Sequence, residues 1–152
     1  MSFAAIGLSN PKFPENVGGV LRAAFCYDAK LVVLSGVRYR RVGTDTPAAY
    51  RHIPVICMDN LRDAIPYDTI PIAVDIVERA IPLPKFCHPD RAFYIFGQED
   101  GTLSKEIMGW CKYKIYVPTT VCMNLAATVN VVLYDRMSKQ YRGIGRKCVL
   151  QE

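Results

Sequence analysis

Long hydrophobic runs are missing from this sequence. No stretch reaches the roughly 18 consecutive apolar residues that a membrane span requires, so no membrane partner is expected. A basic leader joined to a long apolar stretch is also missing. The opening residues, MSFAAIGLSNP, contain neither, so a secretory signal is not expected. Histidine is scarce, at two residues, and the six cysteines (Cys26, Cys57, Cys87, Cys111, Cys122 and Cys148) form no Cys-x-x-Cys pair. Hence no metal site is expected, and scattered free thiols fit a cytoplasmic setting better than a disulfide framework. The G-x-G-x-x-G spacing is absent, as is a ribose-binding acid after the second strand, which disfavours a nicotinamide-dependent oxidoreductase. There are no linkers, tandem repeats or low-complexity segments.

What is present is a chain of 152 residues, 51% hydrophobic and 22% charged, enough for one domain with a sizeable core. Residues 1–152 read as that single domain, with a core of about 3–141 and a basic tail over 142–152. The net charge of +5 permits an anionic partner without demanding one. Short, continuously apolar runs at Phe3–Leu8, Leu31–Ser35, Ile53–Cys57, Ile70–Asp75, Ala92–Phe96 and Tyr113–Val117 read as parallel strands covered on both faces. Helical segments fall between them at Val17–Tyr27, Asn60–Ala64, Ser104–Cys111 and Asn124–Tyr141, with a short piece near Thr46–Tyr50. The pattern predicts an open α/β sheet of five or six strands, with RAIPLPKFCHP as an irregular excursion.

In such a sheet, ligands bind beyond the carboxyl ends of the strands. Three loops there stand out. In PENVGGVLRAA, Asn16 suits a helix N-cap, and Gly18 and Gly19 leave the first turn bare. Arg22 leans back toward the loop mouth, where it can hold a phosphate or a developing oxyanion; the plainer alternative is a surface ion pair with glycines for packing. In YIFGQEDGTLSKEI, Gly97 allows a ligand against the backbone, and Glu99 is placed to accept a hydrogen bond or to pair with Arg22. Thr102 or Ser104 caps the helix that follows. In YVPTTVCMNLAATVNVVLYD, Asn124 caps a very apolar helix that a second subunit covers most simply, with a central core helix as the plainer alternative, and Asn130 within it needs a partner.

In this order, the three loops resemble the three motifs of the SpoU/TrmH branch of the SPOUT RNA methyltransferases: NPKFPENVGGVLRAA, FGQEDGTLS and VPTTVCMNLAATVNVVLYD. The similarity runs from Phe3 to about Tyr141. It implies an open, mostly parallel sheet with helices on both faces and a C-terminal trefoil knot. It also implies a homodimer, S-adenosylmethionine as cofactor, and methylation of a ribose 2′-hydroxyl in RNA, with tRNA preferred. By position, Arg22, Asn16, Glu99 and Asn124 match the catalytic residues. Val74, Gly97, Val117, Cys122, Met123 and Leu125 match the cofactor-binding ones. Cys122 stands where serine is frequent, Thr102 where glycine is frequent, and the loop from Pro118 to Asn124 is shorter. A non-catalytic RNA-binding homodimer that keeps the fold is the alternative. For RNA contact, Arg38, Arg40 and Arg41 flank Tyr39, and the C-terminal segment adds Arg136, Lys139, Arg142, Arg146 and Lys147. His52 and His88 read as structural or exposed rather than catalytic.

Overall fold

The computed structural model describes residues 2–36 and 49–142. Arg38, Tyr39, Arg40, Arg41, Arg146 and Lys147 lie outside the described residues. Seven strands form one sheet: β1 (Phe3–Ser9), β2 (Leu31–Ser35), β3 (Val55–Met58), β4 (Ile70–Val74), β5 (Ile81–Pro82), β6 (Arg91–Phe96) and β7 (Tyr113–Tyr116). Their order is β3-β2-β1-β6-β4-β7-β5 and every pair is parallel. The expected five or six strands become seven because Ile81–Pro82, inside the proline-rich stretch, adds to the edge of β7. An edge tolerates Pro82, whose missing N–H removes no ladder bond there.

Helices α1 (Pro14–Cys26) and α3 (Leu125–Tyr141) pack on one face, and α2 (Lys105–Trp110) covers the other. Short 3₁₀ turns occupy Ala49–Arg51, Leu61–Ala64 and Leu83–Lys85. Coverage on both sides explains why β1 reads as unbroken apolar sequence: Ala4 through Leu8 are all buried. α1 starts at Pro14, three residues before the apolar pattern suggests, because proline at the first helical position is already set for the helix. Gly19 serves helix packing rather than ligand approach, since a Cβ there would lie 2.7 Å from Ala126 Cβ of α3. Asn130 finds its partner within α3, donating to the Ala126 carbonyl at 2.8 Å.

Register levels the strand ends on one rim. Val74 lies beside Phe96 and beside Ile115, so the loops after β4, β6 and β7 open side by side. The opposite rim is closed by a buried polar network. Arg136 of α3, only 4% exposed, donates to Pro89 O, Tyr94 Oη, Ser2 Oγ, Phe3 O and Asp90 O at 2.7–3.2 Å. Lys139 donates to Leu83 O and Phe86 O and pairs with Asp135 at 2.6 Å. These two cations therefore staple the β5–β6 connection and the start of β1 to α3, which corrects the expectation that they contact RNA. His88 joins them, buried as a structural residue, 2.6 Å from Tyr94 Oη and 2.8 Å from Asp135 Oδ2. Cys26, Cys57, Cys111 and Cys122 are free thiols, whereas Cys87 is disulfide-bonded, which departs from the expectation of free thiols throughout.

Candidate active site

A cleft of about 600 Å³ opens at the level rim, between the loops after β4, β6 and β7 and the first turns of α1 and α3. This is where an open α/β sheet places ligands. Val74, Gly97, Val117, Cys122, Met123 and Leu125 all line it, as do Asn16, Glu99 and Asn124. Arg22 does not. It is exposed on α1 and has no hydrogen bond or ion pair among the described residues.

The three polar side chains form one chain of hydrogen bonds across the cleft. Asn16 Nδ2 donates to Glu99 Oε1 at 2.8 Å, and Asn124 Nδ2 donates to Asn16 Oδ1 at 2.7 Å. Asn124 is the N-cap of α3, with Oδ1 accepting from the N–H groups of Ala126 and Ala127 at 2.9 and 3.3 Å. The expected capping role of Asn16 is not seen. α1 begins before it, the N-cap residue is Phe13, and no side chain of that residue caps the helix. Glu99 supplies what is missing: its carboxylate accepts from the N–H groups of Lys12 and Phe13 at 3.0 and 3.4 Å, at the electropositive start of α1. Ser104, rather than Thr102, caps α2, accepting from Ile107 N at 3.2 Å.

Partial burial would push the Glu99 carboxyl upward. Hydrogen bonds from Asn16, the Lys12 N–H, its own backbone and the Phe13 N–H outweigh that and hold it below the ordinary carboxylate range. Glu99 is therefore ionised near neutrality and its oxygens are already engaged, which makes it a weak proton acceptor.

Asp75 is among the lining residues that the sequence does not single out. It follows β4, and its two oxygens accept from Ile76 N and Leu103 N, both at 2.7 Å. It thereby ties the loop after β6 to the end of β4. Its signal in the sequence was position alone, an acid directly after a buried strand. Gln98 also lines the cleft and accepts from Asn10 Nδ2 at 3.0 Å. Asn10 sits at φ 52°, a left-handed conformation that asparagine tolerates better than most residues.

Because Asn16 links Glu99 to Asn124 directly, its loss should loosen the cleft more than the fold. Asn16→Ala is expected to weaken binding of a cleft ligand about tenfold, while costing roughly 1–2 kcal/mol of stability. Calorimetry beside a thermal melt separates the two; an unchanged ligand affinity would show that the bridge is idle.

Among the described residues, no group of three or more His, Cys, Asp or Glu side chains could hold a metal ion, and no helix is long and apolar enough to cross a membrane.

Comparison with solved structures places the fold. The chain superposes on a TrmH/SpoU tRNA modifying enzyme of A. aeolicus with TM-score 0.82 and 13% identity, covering 100% of this chain and 83% of that one. It superposes on the SpoU methyltransferase AviRb of Streptomyces viridochromogenes, in complex with AdoMet, with TM-score 0.81 and 17% identity, covering 93% of this chain and 62% of AviRb. A structure concerned with the 2-OH methylation of C/U34 on tRNA matches with TM-score 0.76 and 19% identity, covering 93% of this chain and 98% of that one. The chain thus spans somewhat under two thirds of AviRb and nearly the full length of the last. At these identities the likeness shows the fold, the open parallel sheet of the SPOUT type. No curated protein sequence matches the chain. The model for the SpoU rRNA Methylase family matches residues 4–134, and on that match the chain belongs to this family.

Proposed function

We propose that this protein methylates RNA from S-adenosylmethionine, at a ribose 2′-hydroxyl, with tRNA as the favoured substrate and the cytoplasm as its setting. The observation that carries the reading is the convergence of Asn16, Glu99 and Asn124, from three separated segments, on the cleft lined by the strand-end loops. Its volume suits a nucleoside-sized ligand, and its lining mixes apolar side chains such as Phe96 and Leu125 with a few convergent polar groups. That composition fits S-adenosylmethionine, which Val74, Gly97, Val117, Cys122, Met123 and Leu125 would hold. When bound, it supplies an electrophilic methyl group on sulfur. The whole chain, 1–152, would act as one such domain with a trefoil knot in its C-terminal part.

A ribose 2′-hydroxyl is a poor nucleophile, so the protein must align it and accommodate the charge that develops on its oxygen. Arg22 is the group suited to this, through a bidentate guanidinium on the neighbouring phosphate and the forming alkoxide. A guanidinium is a poor base, with a pKa above ~12. Since Glu99 is also a weak acceptor, the proton leaves to phosphate or water. Arg22 stands outside the cleft of its own chain, so a second copy would bring its Arg22 to that cleft, making the homodimer part of the mechanism.

The test is calorimetry with S-adenosylmethionine, followed by transfer of labelled methyl to tRNA and analysis of the digested nucleosides. Saturable binding and a 2′-O-methylated nucleoside are expected. Label on a base would overturn the ribose assignment. Cofactor binding without methyl transfer would favour the non-catalytic RNA-binding homodimer.

A further inference from the structure

Beyond the cleft, α1 carries an exposed aromatic stack. Phe25 is 49% exposed, and its ring lies on that of His52, with centroids 4.7 Å apart and planes 23° from parallel. His52 is itself exposed and follows the 3₁₀ turn Ala49–Arg51. In that turn Arg51 lies over the ring of Tyr50, at 5.8 Å from its centroid, and Tyr50 is 50% exposed. Arg22 sits three residues before Phe25, so the two side chains neighbour each other on the helix surface. Neither Arg22 nor Arg51 has an ion pair among the described residues.

Exposed flat rings between unpaired arginines match single-stranded RNA, whose bases stack on aromatic faces while cations hold the phosphates. We infer that the Phe25–His52 stack is a platform for the base of a nucleotide next to the one whose ribose is methylated, with Arg22 and Arg51 on the flanking phosphates. This rests on the proposed function, since it places the platform one helical turn from the arginine that would act on the ribose. Stacking of this kind tolerates any base and favours the larger ring faces of purines.

The experiment measures tRNA binding by fluorescence anisotropy for the wild type, Phe25→Ala, Phe25→Leu and Phe25→Trp. Each protein is checked for mass by light scattering and for S-adenosylmethionine affinity by calorimetry. Phe25→Ala and Phe25→Leu are expected to weaken RNA binding about 5- to 100-fold, and Phe25→Trp to keep it. Cofactor affinity should hold in all, because Phe25 does not line the cleft. Wild-type affinity in Phe25→Ala and Phe25→Leu would overturn the platform, and so would a changed particle mass, which would make this face an interface between copies. If the wild type itself bound no RNA, the proposed function would fail, and the platform with it.

Discussion

Arg22→Ala is expected to lower methyl transfer by about 10²- to 10³-fold, the scale for removing one preorganised donor from a developing oxyanion. S-adenosylmethionine affinity should stay within roughly twofold of wild type, because a residue that makes no ground-state contact with a ligand does not alter its binding. The basis is positional: Arg22 is exposed, unpaired and absent from the lining of its own cleft. Arg22→Lys separates charge from shape. A lysine keeps the cation and loses the planar fork, so near-normal turnover in that variant would remove the bidentate role. A mixed dimer makes the test sharper. Pairing an Arg22→Ala chain with an Asn124→Ala chain leaves one cleft with its own Asn124 and a partner's Arg22. Activity should then return toward ~half of wild type, as a two-fold assembly with one intact site of two requires. Failure of the mixed dimer, with both parents folded and dimeric, would place Arg22 in its own subunit's chemistry or in none.

The second large effect concerns stability in acid and starts at His88. Asp135, as a carboxylate, accepts from Nε2–H of His88, leaving Nδ1 to accept from the Tyr94 hydroxyl, which in turn accepts from Arg136. The network is fully satisfied only while His88 is neutral. Burial pushes its pKa down to about 4, further than the Asp135 hydrogen bond and charge can raise it, and the Lys139 and Arg136 charges lower it further. Burial likewise pushes Tyr94 up to about 12, so that hydroxyl keeps its proton. Above pH 6.5 the folded and unfolded chains both carry neutral His88, and its environment costs nothing. Between pH 6.5 and about 4 the unfolded chain takes up a proton that the folded chain refuses, so stability falls as the pH falls. The full loss is about 3 kcal/mol from this residue, at 1.36 kcal/mol per pH unit. Urea unfolding at several pH values should show that slope in wild type and lose it in His88→Gln. An unchanged slope in His88→Gln would assign the acid lability elsewhere. Glu99, held low in the folded chain, adds its own loss only at lower pH, as the solution passes down through the ordinary carboxylate range and then its folded pKa. The two windows are thereby distinguishable.

Arg136 shows why this network was not legible in the sequence. Within RMSKQY it reads as one more basic surface residue, yet it is almost fully buried and bonded to residues up to 134 positions away. Asn16 is a similar case. Its residue type suits an N-cap, and Pro14 moved the start of the helix ahead of it, freeing its amide to reach Glu99 and Asn124 across 83 and 108 residues. Gly19 kept its place near the site but not its expected purpose, because only the approach of Ala126 reveals what the missing Cβ makes room for.

The family resemblance of the three loops pointed to part of the cleft lining, from Asn16 and Val74 to Asn124 and Leu125, and not to others such as Phe13, Asp75, Gln98 or Tyr116. The sequence by itself determined the alternation of short apolar strands and helices and the rim on which the polar loops emerge. Those follow from hydrophobic period and from residues whose backbone preferences act within a few positions. The tertiary structure alone decided which side chains hold each other: the Asn16 bridge, the burial of Arg136, and the separation of Arg22 from the cleft of its own chain. The reason is physical. A local window records what one segment prefers, whereas a hydrogen bond or a desolvated charge depends on which distant segment the packing of the sheet brings alongside it.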